Sequence, residues 1–120
     1  MSNPRYRNGS ARRKLAARLK AERRGCWICR AFGRSDRIDY DLPHGHPMSF
    51  EIDERKPVSR YREFGYSSAQ QCALDYGNVD AAHRCCNQWK SNKSDDEVYA
   101  IARRQLASRA KPLPQPFDEW

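Results

Sequence analysis

At 120 residues the chain has the length of one domain. With 38% hydrophobic and 32% charged residues, it has little material for a core and is expected to need a disulfide or a metal as a staple. No apolar run approaches a membrane span and the start carries no apolar signal core, which argues against a membrane and points to an intracellular, cytoplasmic protein. In that setting its five cysteines read as thiols or metal ligands rather than disulfides.

The net charge of +8 is local. Residues 1–24 hold nine Lys or Arg against the single acid Glu22, and the rest balances at 14 basic and 14 acidic groups. Such a basic arm suits a polyanion, because each neutralised phosphate releases condensed counterions. RNA, an acidic membrane or a merely solvated tail would account for the charge equally well.

Taken in chain order, Met1 to Gly9 is polar and reads as flexible. Ser10 can cap a helix running to about Arg24, with Leu15 and Leu19 on its inward face and Gly25 as its left-handed terminator. Cys26 to Asp41 reads as a knuckle, and Pro43, Gly45 and Pro47 break any regular element before Met48. Phe50, Ile52 and Val58 among charged residues predict a short hairpin, with Pro57 at a turn or strand edge. Ser59 to Tyr76 predicts an extended loop with at most one helical turn. Val79 to Lys90 predicts a helix. Ser94 and Glu97 form a capping box for a last helix, Asp95 to about Ala107, with Val98, Ile101 and Leu106 inward. The tail with Pro112, Pro114 and Pro116 cannot continue it. The chain thus divides into a basic segment (1–24), a core (25–93) and a C-terminal helix with tail (94–120).

Cys26-Trp27-Ile28-Cys29 is a C-x-x-C pair, which lets two thiolates grip one ion from a tight knuckle. His83 and Cys86 offer the H-x-x-C complement, three residues apart and so on one helical face. Together the four make a structural zinc site. A redox C-x-x-C and simple burial of small thiols are the competing readings. Cys85 can replace Cys86, and Cys72 and Cys85 otherwise carry no role.

Three stretches lie in the order and spacing of one known family: Cys26-x-x-Cys29, Phe50-Glu51-Ile52-Asp53-Glu54-Arg55-Lys56-Pro57-Val58-Ser59, and Gly77-Asn78 through His83-Arg84-Cys85-Cys86-Asn87 to Lys93. In these the chain resembles the HNH endonucleases, the small phage or prophage kind in particular. The resemblance covers most of residues 26–93 and implies a zinc-stabilised α+β fold, the ββα-metal hairpin and helix, here with a basic N-terminal helix and an added C-terminal one. It implies that Asp53 and Asn87 hold a catalytic divalent ion such as Mg2+ or Mn2+, and that Asn78 braces the hairpin loop. A carboxylate and an amide oxygen suit such hard cations. DNA is the implied substrate, cut to a 5′-phosphate and a 3′-hydroxyl. Arg12, Arg13 and Lys14 of the arm, with Arg55, Lys56, Arg84, Lys90 and Lys93 near the site, are the expected phosphate contacts.

Two departures stand out. The family's general-base His is Glu54 here, so the base is Glu54, or His44 or His46 from the preceding loop, or the fold has outlived its activity. The Gly-Gly usual after the Pro-x-Ser element is missing. The other readings are a zinc-stabilised nucleic-acid-binding module without catalysis, and an accessory of phage genome packaging that acts beside a terminase in the host cytoplasm.

Overall fold

The structure, a computed structural model, describes residues 9–110; the expectations for Met1 to Asn8 and for the proline-bearing tail lie outside these. Helix α1 (Gly9–Ala21) is built from Ala, Leu, Arg and Lys, all strong helix formers. Ser10 lies within that span rather than ahead of it. Leu19 is fully buried, while Leu15 is only partly so.

The residue that turns the chain left-handed after α1 is Arg23, at φ 53°, and not Gly25. Gly25 serves a different need. A Cβ there would come within 2.4 Å of the Asp36 carboxylate and 2.7 Å of its carbonyl oxygen, and only glycine lets the chain pass so close. That approach lets the Cys26 N–H bond the Asp36 carbonyl at 2.6 Å.

Cys26 then caps the short α2 (Trp27–Ala31), its sulfur accepting from the Cys29 N–H. Strand β1 (Phe50–Glu54) pairs antiparallel with β2 (Val79–His83), Phe50 opposite His83 and Glu54 opposite Val79. A two-stranded antiparallel sheet is therefore present, but β1 finds its partner beyond residues 55–78 and not in a short local hairpin. The intervening segment holds a 3-10 turn (Val58–Arg60), helix α3 (Ala69–Leu74) capped by Ser68, and a second 3-10 turn (Tyr76–Asn78).

The helix expected over 79–90 splits. Its first half is β2 and only Arg84–Lys90 is helical, as α4. All five residues of β2 are buried, so no alternation marks it as a strand, and Ala81-Ala82 favours a helix locally. Pairing with β1 overrides that preference.

Helix α5 (Asp95–Ala110) opens on the capping box: the Glu97 N–H donates to Ser94 Oγ at 3.3 Å and the Ser94 N–H to Glu97 Oε1 at 2.8 Å. Val98 and Ala102 face the core, Ile101 is half-buried, and Leu106 is exposed rather than inward. The core gathers Trp27, Ile28, Phe32, Ala81, Ala82, Val98 and Ala102 around Cys26, Cys29 and Cys86. Trp27 packs on Tyr99 of α5 at 5.7 Å between ring centres. No helix of the described residues is long and apolar enough to cross a membrane.

Candidate functional site

The capped knuckle before α2 and the junction of β2 with α4 meet inside the core. The ligand atoms of Cys26, Cys29, His83 and Cys86 all lie within 4.8 Å of one another, and all four residues are buried. Cys29 Sγ stands 3.4 Å from His83 Nδ1 and 3.6 Å from Cys86 Sγ. His83 Nε2 faces the Arg37 carbonyl oxygen at 2.9 Å. A carbonyl only accepts, so Nε2 carries the proton and Nδ1 offers its lone pair to the cluster, the outer bond that commonly orients a ligating imidazole.

The backbone N–H groups of Cys29 and His83 both reach Cys26 Sγ at 3.4 Å. A hydrogen bond from Cys86 above all, with these two N–H groups, holds the Cys26 thiol down at about 5 against its burial. Burial pushes Cys29 up, and the bond to Cys26 pushes Cys86 up. Three thiols packed this closely oppose one another's ionisation, and a divalent cation among them is what would let all three ionise. One nitrogen and three sulfurs within reach of one point are a donor set that fits zinc.

A second group of sequence-marked residues lies at the end of β1. Asp53, Glu54, Asn87 and Lys90 line one cavity of about 640 Å3, with Val58, Ser59 and Asn92 among its other walls. Asp53 is buried, its Oδ2 accepting from Trp27 Nε1 at 2.8 Å and its Oδ1 paired with the Lys90 ammonium at 3.2 Å. Loss of hydration raises its carboxyl from 3.8 to about 6, against the lowering pull of Lys90 and Trp27. Glu54 is also buried and meets the Arg12 guanidinium at 2.5 Å. Asn87 donates its NH2 to Glu51 Oε1 at 3.0 Å, which leaves its amide oxygen for other contacts.

Asn78 is buried at the mouth of the 55–78 segment. Its Oδ1 accepts from the Lys56 N–H at 2.7 Å, and its NH2 donates to the carbonyls of Lys56 (3.0 Å) and Cys72 (3.3 Å). It ties the two ends of the excursion together.

The cations expected on phosphate divide. Arg13 and Lys14 are exposed on α1, and Lys93 lies over the Trp89 ring at 4.9 Å. Arg12 clamps α1 to the body through Glu54 and the Ala73 carbonyl. Arg55 is held by Asp95, Asp80 and the Tyr99 hydroxyl, Lys56 by Asp95 and Asp96, and Arg84 by Glu51. Lys90 is 1% exposed, its ammonium also donating to the Glu54 carbonyl at 2.8 Å. Its burial had a signal: Lys90 follows Cys86 by four residues, on the same face of the helix.

Of the two loop histidines, His44 lines an adjoining cavity of about 670 Å3 with Arg12, Arg13, Glu51 and Asn87. His46 is exposed, its Nδ1 accepting from the Met48 N–H. Cys72 is buried beside the Lys56 carbonyl, and Cys85 is half-buried beside the Met48 sulfur. Comparison with protein-family models, with curated proteins and with solved structures finds no match to the chain.

Proposed function

We propose that the chain is a metal-dependent DNA endonuclease of the ββα-metal (HNH) kind, stabilised by zinc at Cys26, Cys29, His83 and Cys86. The observation that carries this reading is the shared cavity: Asp53 and Glu54 at the end of β1 and Asn87 in α4 line the same hollow. Strand, strand and helix follow in the chain order that such a site requires. A carboxylate and an amide oxygen are the donors that Mg2+ or Mn2+ takes. An ion held by Asp53 and Asn87 would polarise the scissile phosphate and stabilise the leaving oxygen.

The protein's own groups do the rest. Trp27 and Lys90 fix both oxygens of Asp53 and so set its direction. Arg12 covers Glu54, and an incoming phosphate competes for that guanidinium, releasing Glu54 to take a proton from the attacking water. His44, in the adjoining cavity with Asn87, is the other base within the site's surroundings. Arg13 and Lys14 hold the DNA backbone by charge. Work beside a phage terminase during packaging, in the host cytoplasm, belongs to the same reading.

A second reading, a zinc-stabilised nucleic-acid-binding module without catalysis, is favoured by one observation: Asp53 and Glu54 are each answered by an internal cation. Nicking of supercoiled plasmid separates the two, with wild type, Asp53→Ala, Asn87→Ala, Glu54→Gln and His44→Ala compared in Mg2+, Mn2+ and chelator. The nuclease reading expects metal-dependent nicking, lost in Asp53→Ala and Asn87→Ala, with Glu54→Gln and His44→Ala deciding the base. Salt-sensitive DNA binding with no nicking by any form leaves the binding module.

A further inference from the structure

The three exposed large hydrophobic side chains among the described residues are Met48 (43%), Trp89 (43%) and Leu106 (38%), and they gather at one place. Met48 and Trp89 line a cavity of about 610 Å3 walled by Ile28 and Phe32 and, beside them, by Cys29, His83 and Cys86 of the Cys/His cluster. Leu106 stands beside Gly33, next to that wall, and its α5 neighbour Gln105 is on the rim. Exposed apolar groups scattered singly are ordinary, whereas a cluster around a hollow marks a binding surface. The volume is that of a pocket for one large side chain and its surroundings.

The rim adds a sign. Arg34 and Arg37 are its charged residues, both exposed, and no carboxylate lines the cavity. The Arg34 guanidinium lies over the Phe32 ring at 4.9 Å and also hydrogen-bonds the Cys29 thiol, and among the described residues neither Arg34 nor Arg37 forms an ion pair with a carboxylate. Asp39 lines an adjoining hollow with Arg37 and Met48, but its carboxylate accepts from the Asp41 N–H at 3.0 Å. Two guanidiniums beside an apolar slot complement an anionic side chain next to an aromatic one.

We propose that this cavity is a docking site for an acidic peptide segment of a partner protein, with an aromatic side chain seated between Trp89, Met48 and Phe32 and carboxylates on Arg34 and Arg37. The surface shares no lining residue with the Asp53 cavity, so it stands whether or not the chain cuts DNA. Met48 is one of only two methionines in the chain, which gives the site its own reporter.

The test uses full-length, metal-loaded protein with carbon-13-labelled methionine methyl groups. The probe is a short peptide with a central Trp flanked by Asp and Glu, and its Asn/Gln analogue is the control. Docking of the acidic segment predicts a saturable shift of the Met48 methyl signal. The neutral analogue binds about tenfold or more weaker, and added salt weakens the acidic peptide as it screens the charges. Arg34→Gln with Arg37→Gln, checked for retained metal and helical content, reproduces that loss; the salt series reads the same charge dependence without any variant. Absence of a shift, or equal binding of the neutral analogue, overturns the proposal. So does a Met48 signal that moves on dilution, which would make a second copy the occupant. A signal already displaced by Phe117→Ala or Trp120→Ala would make it the chain's own ending.

Discussion

Removing the metal from the Cys26, Cys29, His83 and Cys86 cluster should unfold most of the described structure. The cluster joins segments 57 residues apart. A cross-link closing a loop of that length removes about 4 kcal/mol of chain entropy from the unfolded state. The four side chains are also buried together, so an empty cluster leaves polar groups without full partners inside the core, which adds to the loss. Against the 5–15 kcal/mol that typically holds a domain, the apo form is left marginal at best. The assay is metal release with a chromogenic chelator, for stoichiometry, beside circular dichroism and thermal melting before and after chelation. One zinc per chain and a collapse of the cooperative transition are expected, with Cys29→Ser reproducing the apo behaviour. A chelated protein melting within about 3 °C of the loaded one, under ~1 kcal/mol for a domain of this size, would refute the reasoning.

Other outcomes follow from single contacts. Asn78→Ala leaves the Lys56 N–H and the carbonyls of Lys56 and Cys72 short of a partner. It should lose about 3 kcal/mol, or ~12 °C in the melting midpoint, with faster hydrogen exchange at the Lys56 amide. Asp53, raised from 3.8 to about 6, holds its proton more tightly folded than unfolded. Its contribution is complete below pH 4 and declines as pH rises to 6, by about 3 kcal/mol at 1.36 kcal/mol per pH unit. Denaturant titrations from pH 4 to 7 should therefore show the stability of Asp53→Asn gaining on wild type as pH rises; a constant difference would contradict this. Ser94→Ala removes the cap of α5 and should cost about 1 kcal/mol, read as a lower urea midpoint at unchanged slope.

The clustering of Cys26, Cys29, His83 and Cys86 was legible because metal binding demands both residue type and spacing, and spacing survives without knowledge of the fold. The α5 cap was legible for the same reason, since Ser94 and Glu97 act across three residues. Strand β2 was not, because Val79–His83 is buried on both faces and its partner is distant in sequence; a period can reveal a strand only when one side meets water. The inward engagement of Arg12 was hidden by its charge, and that of Lys90 showed only in its four-residue spacing from Cys86. A basic residue is read as surface until a carboxylate is found to meet it, and here Glu54 and Asp53 come from elsewhere in the chain. Gly25 was read for its backbone freedom, whereas Asp36 crossing close by was the reason for it.

The division of the four clustered Cys and His side chains between residues 26–29 and 83–86 also bears on how the chain is made. A growing chain that has passed Cys29 owns half a coordination sphere and no means of completing it. Strand β1 waits for the same stretch, since its partner ends at His83. Synthesis must therefore deliver Cys86 before the sheet, the metal and the core can close together. Until then the thiols of the first pair stand open to oxidation, and their enclosure waits on the arrival of His83 and Cys86.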